Sequence, residues 1–183
     1  MTNNSPTLQG RATELPAAVT IRDLARSDDI AALTHLLNEA YQPLADAGLR
    51  FFASYQNEKQ TRQRLKAGHP LIAELAGEVV GTITVSGPHP KSKCLYYRRP
   101  GVFCLGQFAV RTDRQGQGIG RALLQASEDR ARALGATEVV LSTAESAAQL
   151  RDWYERLGYH FVEFVAWDTT NYRSVILSKR LSL

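Results

Sequence analysis

The stretch VRTDRQGQGIGRALL, residues Val110–Leu124, places three alternating glycines between basic and amide side chains, directly before an apolar helical pattern. The first turn of a helix has N–H groups without intrahelical partners and a partial positive charge. Glycines let a ligand approach the backbone without an intervening Cβ. The stretch therefore predicts a bound anion such as a pyrophosphate, with Arg114, Gln115 and Arg121 as further donors.

Two familiar phosphate motifs do not fit this glycine loop. A P-loop requires GxxxxGK[ST], and no Lys-Ser or Lys-Thr follows the glycines. A dinucleotide fingerprint that begins at Gly118 would require glycine at position 123, where Leu123 stands, and the chain lacks a second βαβ half. A glycine-rich turn between a strand and a helix, without any ligand, remains the alternative.

Hydrophobic periodicity predicts the order strand, helix, helix, three strands, helix, strand, helix, two strands, which is an α/β fold with a mixed sheet. The predicted strands are AAVTIRDL (17–24), a hairpin within 70–87 that turns at Ala76-Gly77-Glu78, VFCLGQFAV (102–110), EVVLSTA (138–144), HFVEFVAW (160–167) and RSVILSKRL (173–181). The strand 102–110 is mostly apolar, so we expect it at the centre of the sheet.

Polar residues mark the expected helix starts. Ser27 is a predicted N-cap for the first helix, and a short second helix should end at Gly68. The third helix follows the glycine loop. Ser146 and Gln149 have the spacing of a capping box for the fourth helix, which Gly158 should end.

The bulk composition favours one domain. The chain has 183 residues, 44% of them hydrophobic, and a net charge of +4. Residues 1–16 are polar and predict a loose arm, so the folded domain should span residues 17–183. We expect no signal peptide, membrane helix or metal site, and two cysteines suit a reducing cytoplasm.

A basic segment precedes the central strand. Residues 88–100, PHPKSKCLYYRRP, hold Lys91, Lys93, Arg98 and Arg99 and no acid. The segment is either a solvated loop or a binding surface for something acidic. Nucleic acid is not expected as the partner, because no helix-turn-helix or aromatic RNA motif accompanies the charges.

Taken together, these motifs resemble the GNAT superfamily of acetyl-coenzyme A-dependent N-acetyltransferases. Gln115–Gly120 matches the family signature Q/R-x-x-G-x-G/A, and LGQFAV resembles the fourth strand of the family. The late helix LRDWYERLGY and the hairpin with Gly81 fall in the family's order, so the resemblance spans 17–183. It implies a mostly antiparallel sheet of six to seven strands with a splayed central pair and about four helices.

The resemblance also implies where acetyl-coenzyme A would bind, with no metal required. The pantetheine arm would pair with the backbone of Phe108, Ala109 and Val110. The pyrophosphate would lie on the loop and the start of the following helix. The residues implied there are Arg114, Gln115, Gly116, Gln117, Gly118, Ile119, Gly120 and Arg121.

Tyr154 is the expected catalytic residue. It shares a helical face with Ala147, Leu150 and Leu157 that should meet the sheet. A phenol is protonated at neutral pH and can donate a proton to a departing thiolate. The alternative is a core tyrosine whose hydroxyl has a structural partner.

The sequence departs from the family pattern at two places. Many relatives have asparagine where this chain has Ala147. Some have a glutamate base in the fourth strand, where this chain has Cys104 and Gln107. A water chain or one of three glutamates could take the proton, and Cys104 could be a nucleophile, although a buried strand cysteine is the simpler interpretation. The three glutamates are Glu74, Glu145 and Glu163.

The acceptor side carries little sequence information. The resemblance assigns it to the first helices, the basic segment and the last strands, whose aromatic residues either line a pocket or only pack. These residues are Tyr41, Phe51, Phe52, Tyr55, Tyr96, Tyr97 and the segment from Trp167 to Tyr172. The basic segment could attract an acidic acceptor or the 3′-phosphate of the cofactor.

The predicted activity is transfer of an acetyl group to an amine of a small molecule or peptide, by direct attack in a ternary complex. A binding module that senses acyl-coenzyme A without catalysis is the alternative. Homodimers are common among relatives, but the sequence specifies no interface.

Overall fold

The computed structural model describes residues 19–182. The predicted arm, residues 1–16, lies outside the described residues. The described part carries the strands and helices in the predicted order.

Seven strands form one sheet. They are β1 (Val19–Asp23), β2 (His69–Leu75), β3 (Glu78–Ser86), β4 (Val102–Val110), β5 (Glu138–Ala144), β6 (His160–Ala166) and β7 (Arg173–Arg180). Their order in space is β1-β2-β3-β4-β5-β7-β6. Neighbouring strands are antiparallel except for the parallel pair β4 and β5. The mixed, mostly antiparallel sheet is confirmed, and β4 lies at its centre as its apolar sequence predicted.

Four α-helices cover the two faces of the sheet. They are α1 (Ile30–Asp46), α2 (Glu58–Lys66), α3 (Ile119–Ala133) and α4 (Ala148–Arg156). On one face, Leu33 of α1 and Leu65 of α2 pack against Ile72 of β2. On the other face, Leu123 of α3 and Tyr154 of α4 belong to the main core. Burial of these apolar stripes fixes both helix pairs against the sheet.

Gly81 allows α3 to approach the sheet closely. A Cβ at this position of β3 would lie 2.9 Å from Cδ1 of Leu123 and 2.9 Å from the carbonyl oxygen of Ala109. Contacts that short require the helix or the neighbouring strand to move. The glycine therefore sets the distance between the sheet and the helix that follows the glycine loop.

Two predicted caps are wrong. Asp29, not Ser27, is the N-cap of α1, and its Oδ1 accepts hydrogen bonds from the N–H groups of Ala31 (2.8 Å) and Ala32 (3.3 Å). The predicted capping box at Ser146 does not form, because α4 begins one residue later, with Ala147 in the cap position and no side-chain cap bond. Aspartate is as good an N-cap residue as serine, so at α1 a local competitor takes the place of Ser27, whereas α4 begins without any side-chain cap.

The hairpin turn is tighter than predicted. Ala76 and Gly77 both have positive φ, at 52° and 83°, and Glu78 already belongs to β3. Two consecutive left-handed residues are typical of a two-residue type I′ turn. The turn is thus Ala76-Gly77 alone.

Candidate active site

The centre of the sheet opens between β4 and β5. Their pairing runs only from Val102 opposite Glu138 to Cys104 opposite Val140, although both strands continue for several residues. Beyond Cys104 the two strands separate. The predicted splay of the central pair is therefore confirmed, and it creates a gap that no other element fills with backbone pairing in the described part of the chain.

A β-bulge in β4 lies at this gap. Gln107 has a φ of 49°, and the register against β3 shifts between Thr82 and Thr84. The next carbonyl, that of Phe108, accepts a hydrogen bond from the hydroxyl of Tyr41 at 2.9 Å. Helix α1 is thereby tied to β4 at the opening.

The glycine loop presents free backbone donors at one end of this gap. Gly116 and Gly118 have φ values of 75° and 82°, so each occupies the left-handed region that favours glycine. The N–H groups of residues 116–121 form no hydrogen bond within residues 19–182. Six unpaired donors at the start of α3 can bind an anion.

A cavity of about 660 Å³, here named the loop cavity, runs from the glycine loop to Tyr154. Eight of the predicted cofactor-binding residues line it: Phe108, Ala109, Val110, Gln115, Gly116, Gly118, Gly120 and Arg121. The cofactor-binding residues predicted from the sequence omit Leu150, Trp153 and Arg156, three residues of α4 that also line the loop cavity. Of these, Arg156 adds a second exposed cation to that of Arg121.

Three predicted cofactor-binding residues do not line the loop cavity with their side chains. Ile119 is 1% exposed and packs into the main core. Nε of Arg114 lies 3.5 Å from Oδ2 of Asp113. The side-chain amide of Gln117 donates to the backbone carbonyl of Asp113 at 3.5 Å. The backbone N–H groups of Gln117 and Ile119 remain among the six unpaired donors of the loop.

A larger cavity of about 920 Å³, here named the aromatic cavity, lies on the other side of Tyr154. Helix α1, the end of α2, strands β3 to β5, the basic segment and the β6–β7 connection all contribute to its wall. Its aromatic lining residues are Tyr41, Phe51, Phe52, Tyr97, Phe108, Tyr154, Trp167 and Tyr172. Most of the aromatic residues expected on this side line it, whereas Tyr55 and Tyr96 do not.

Tyr154 lies where the two cavities meet. Both are lined by it and by Tyr41, Phe51, Phe108 and Ser142. The Tyr154 ring packs between those of Trp153 and Tyr159, with centroid distances of 5.0 Å and 5.7 Å. Burial, together with the nearby Tyr41 phenol, raises the pKa of Tyr154 above its ordinary value of 10. The hydroxyl is therefore protonated at neutral pH.

None of the three glutamates considered as a base reaches either cavity. Glu74 pairs with Arg22 at 2.7 Å, Glu145 pairs with Arg173 at 2.6 Å, and Glu163 accepts a hydrogen bond from Cys94 at 3.1 Å.

His89 and Cys104, an imidazole and a thiol, also line the aromatic cavity. His89 has Nε2 3.0 Å from Oγ of Ser86, and burial lowers the pKa of its imidazole, so the ring is neutral at pH 7. Cys104 also lines this cavity, but burial and the neighbouring Cys94 raise the pKa of its thiol to about 12. A thiol that stays protonated is a poor nucleophile, so the geometry favours the interpretation of Cys104 as a buried strand residue.

Two further findings concern metals and membranes. Within residues 19–182, no group of three or more His, Cys, Asp or Glu side chains is arranged to hold a metal ion. No helix in the same range has the length and apolar character needed to cross a bilayer.

The sequence matches the family model described as the acetyltransferase (GNAT) family over residues 30–159. It is similar to the S-(2-succino)cysteine N-acetyltransferase of Bacillus subtilis (strain 168), with 32% identity over 138 residues that cover 74% of this chain and 81% of the relative. It is also similar to the S-alkylcysteine N-acetyltransferase of the same organism, with 27% identity over 139 residues, 74% of this chain and 76% of the relative.

Solved structures share the fold. A GNAT family acetyltransferase from Elizabethkingia anophelis with acetyl-CoA bound superposes with a TM-score of 0.65 at 17% identity, covering 91% of this chain and 100% of that one. The ribosomal-protein-S18-alanine N-acetyltransferase from Escherichia coli gives a TM-score of 0.68 at 20% identity, covering 90% and 95%.

The predicted activity and donor are thereby confirmed. The protein is an acetyl-CoA-dependent N-acetyltransferase with an amine as acceptor, and nothing supports the alternative of a non-catalytic sensor. By the match over most of its length and by its fold, this chain belongs to the GNAT family of acetyltransferases.

Proposed function

We propose that the acetyl group passes directly from donor to acceptor at Tyr154, with acetyl-CoA in the loop cavity and the amine in the aromatic cavity. One observation carries this proposal: the two cavities share a wall, including Tyr154 and Ser142, where β4 and β5 separate. Two ligands bound on either side would meet there. A ternary complex then needs no covalent enzyme intermediate.

The glycine loop is the proposed site for the pyrophosphate of the donor. Six unpaired N–H groups at residues 116–121 point to an anion, and Arg121 and Arg156 line the same cavity. Helix α3 adds the partial positive charge of its N-terminus. The pantetheine arm is proposed to run along Phe108–Val110, which line the cavity between the loop and Tyr154.

Tyr154 is the proposed general acid. Burial and the Tyr41 phenol act on this hydroxyl, and no hydrogen-bond partner within residues 19–182 does, so its proton is not committed to a structural partner. The raised pKa keeps the phenol protonated until it can donate to the departing thiolate of coenzyme A. Transfer of a proton from a positioned group typically contributes roughly 10²- to 10⁴-fold to a rate.

His89 is the proposed acceptor of the proton that the amine loses, directly or through water. Among the residues that line the aromatic cavity, it is the one side chain that is both neutral and basic near pH 7. The alkylammonium form of an amine must lose a proton before attack. A neutral imidazole can take that proton, and no carboxylate of residues 19–182 lines this cavity to compete with it.

The proposed acceptor is the α-amine of an S-substituted cysteine. This proposal rests on the names of the two Bacillus relatives, both of which act on cysteine S-conjugates according to those names. The aromatic cavity supports it, because about 920 Å³ lined by eight aromatic rings suits a compact amphipathic molecule.

The test is a turnover assay that follows free coenzyme A thiol with acetyl-CoA and S-methylcysteine or S-(2-succino)cysteine. We expect thiol release that depends on the amino acid and yields its N-acetyl derivative by mass spectrometry. Release that is no faster than without the amino acid would remove the proposed acceptor class.

We propose a cytoplasmic enzyme, because Cys94 and Cys104 are free buried thiols. Cell fractionation with an activity assay tests this.

A homodimer without nucleic acid or membrane partners is the proposed assembly, and light scattering of the purified protein measures its mass directly.

A further inference from the structure

The aromatic cavity has an unbalanced charge. Arg64 and Lys91 line it, and no aspartate or glutamate of residues 19–182 does. The loop cavity, where the phosphates of acetyl-CoA are proposed to bind, is likewise lined by Arg121 and Arg156 and by no aspartate or glutamate of these residues. A cationic wall without carboxylates indicates that the second ligand also carries negative charge.

Arg64 is held in place by neutral groups. Its Nη1 donates to Oε1 of Gln56 at 2.7 Å, and the buried Gln56 amide donates in turn to Oγ1 of Thr61 at 2.8 Å. The guanidinium carbon lies 5.1 Å from the centroid of the Phe52 ring. These contacts therefore hold the Arg64 side chain at the cavity wall and leave its positive charge unneutralised.

The positive charge of Arg64 has no carboxylate partner in the described part of the chain. Arg62, on the same helix, pairs with Glu58 at 2.8 Å, and Arg22 pairs with both Asp28 and Glu74. Burial lowers the pKa of Arg64, and the groups that oppose this are the phenols of Tyr41 and Tyr55. A partly buried charge without a counterion costs free energy. An anionic ligand bound beside Arg64 would supply the missing counterion.

The basic segment contributes one cation to the same wall. Lys93 pairs with Asp168 at 2.6 Å, Nε of Arg98 donates to the carbonyl of Ser92, and Arg99 stacks on Tyr96. Lys91 is exposed at the cavity and has no ion-pair partner within residues 19–182. Of the four basic residues in this segment, Lys91 is thus the one available to a ligand.

We propose that the acceptor carries a carboxylate and that Arg64 binds this carboxylate through its remaining guanidinium donors, with Lys91 adding attraction at the cavity mouth. The inference rests on the proposed function, because it assigns the aromatic cavity to the acceptor. A guanidinium matches a carboxylate with two parallel hydrogen bonds. Such an anchor on α2 fixes one end of the molecule and leaves the amine to reach Tyr154.

The experiment compares two acceptors in two enzymes. S-methylcysteine and S-methylcysteine amide share the amine and the thioether, but the amide lacks the carboxylate charge. We expect Arg64→Gln to lower kcat/KM for S-methylcysteine by roughly 10- to 100-fold, the loss typical of one hydrogen-bonded charge. For the amide we expect a change below about threefold, and Arg64→Lys should recover part of the loss.

Arg62→Gln is the matched control, because Arg62 is an exposed arginine on the same helix with a surface partner. It should leave kcat/KM for both acceptors and the KM for acetyl-CoA unchanged. Equal losses for acid and amide in Arg64→Gln would show a structural role and overturn the inference. If the wild-type enzyme acetylates both acceptors equally well, the carboxylate preference is wrong while the proposed function stands. If it acetylates neither, the proposed acceptor class itself has failed.

Discussion

The loop cavity and the aromatic cavity meet at Tyr154, but they are built from different parts of the chain. The proposed anion site of the loop cavity consists of backbone N–H groups of one continuous segment, residues 116–121. The aromatic cavity takes its wall from side chains that lie far apart in sequence, from Tyr41 to Ser174. Backbone donors recognise a feature common to every coenzyme A ester, whereas side chains can be exchanged to suit a particular acceptor.

Tyr154, one of the five residues that line both cavities, gives the largest expected effect. Tyr154→Phe should lower kcat by roughly 10²- to 10⁴-fold, because the departing thiolate loses its proton donor. The KM for acetyl-CoA should stay close to its wild-type value, since the ring still fills its place between Trp153 and Tyr159. Steady-state kinetics at saturating amine measure both constants.

Tyr159→Phe is the control for this substitution. The Tyr159 hydroxyl donates to Oε1 of Glu128 at 2.9 Å in the core, away from both cavities. Its loss should lower the free energy of unfolding by about 1–3 kcal/mol and leave kcat intact. A Tyr154→Phe enzyme with wild-type kcat would refute the general-acid assignment.

The affinity of the loop cavity for acetyl-CoA should depend on the backbone conformation of the glycine loop. Gly118→Val forces a β-branched residue into a φ of 82°, so the loop is expected to relax and turn one or two N–H groups away from the anion. Acetyl-CoA affinity should fall roughly 10- to 100-fold, as measured by calorimetry. Gly135→Val, at a φ of 89° after α3, imposes similar strain far from the loop and should leave this affinity unchanged.

The pH dependence of the reaction rate should originate in the aromatic cavity, at His89. A base must be unprotonated, so the rate is lost as pH falls through the pKa of His89, which lies below the ordinary 6.5 because burial disfavours the imidazolium. His89→Gln should remove this acidic limb and lower kcat/KM by about tenfold, since water can still take the proton. A profile of kcat/KM against pH measures both effects.

His160 provides the control for this profile. It is an exposed residue of β6, so His160→Gln should leave the profile unchanged. If the acidic limb persists in His89→Gln at its wild-type position, another group is the base.

The smallest effect is expected at Cys104. Because its thiol has a pKa of about 12, Cys104→Ala should change kcat by less than about twofold. Thermal unfolding should report a loss of about 1 kcal/mol from the vacated space. Loss of activity without loss of folding would point to a covalent route through this thiol.

The contrast between the cavities also explains what could be read from the sequence. Residues 115–120 and the strand before them form one local segment, so the glycine spacing predicted an anion site, and the family resemblance implied most of the residues that line the loop cavity. Tyr154 followed from helical periodicity together with the family resemblance. These features depend on neighbours along the chain, which a sequence displays directly.

The roles of side chains in the aromatic cavity could not be predicted from the sequence in the same way. Arg64 looks like any arginine of a polar helix until Gln56 and Phe52 are seen to hold it at the cavity. The glutamates considered as bases proved to be engaged elsewhere, as Glu145 is with Arg173. Partners distant in sequence decide these roles. The cap of α1 was wrong for a local reason, because Asp29, itself a preferred cap residue, takes the place of Ser27.

Direct transfer at the junction of the two cavities is tested most directly by initial velocities measured at varied concentrations of both acetyl-CoA and the amine. Lines that intersect in the double-reciprocal plot are the predicted result, because both substrates must be bound together at Tyr154 before the acetyl group moves. Parallel lines, with an acetylated enzyme detectable by mass spectrometry in the absence of amine, would contradict the account.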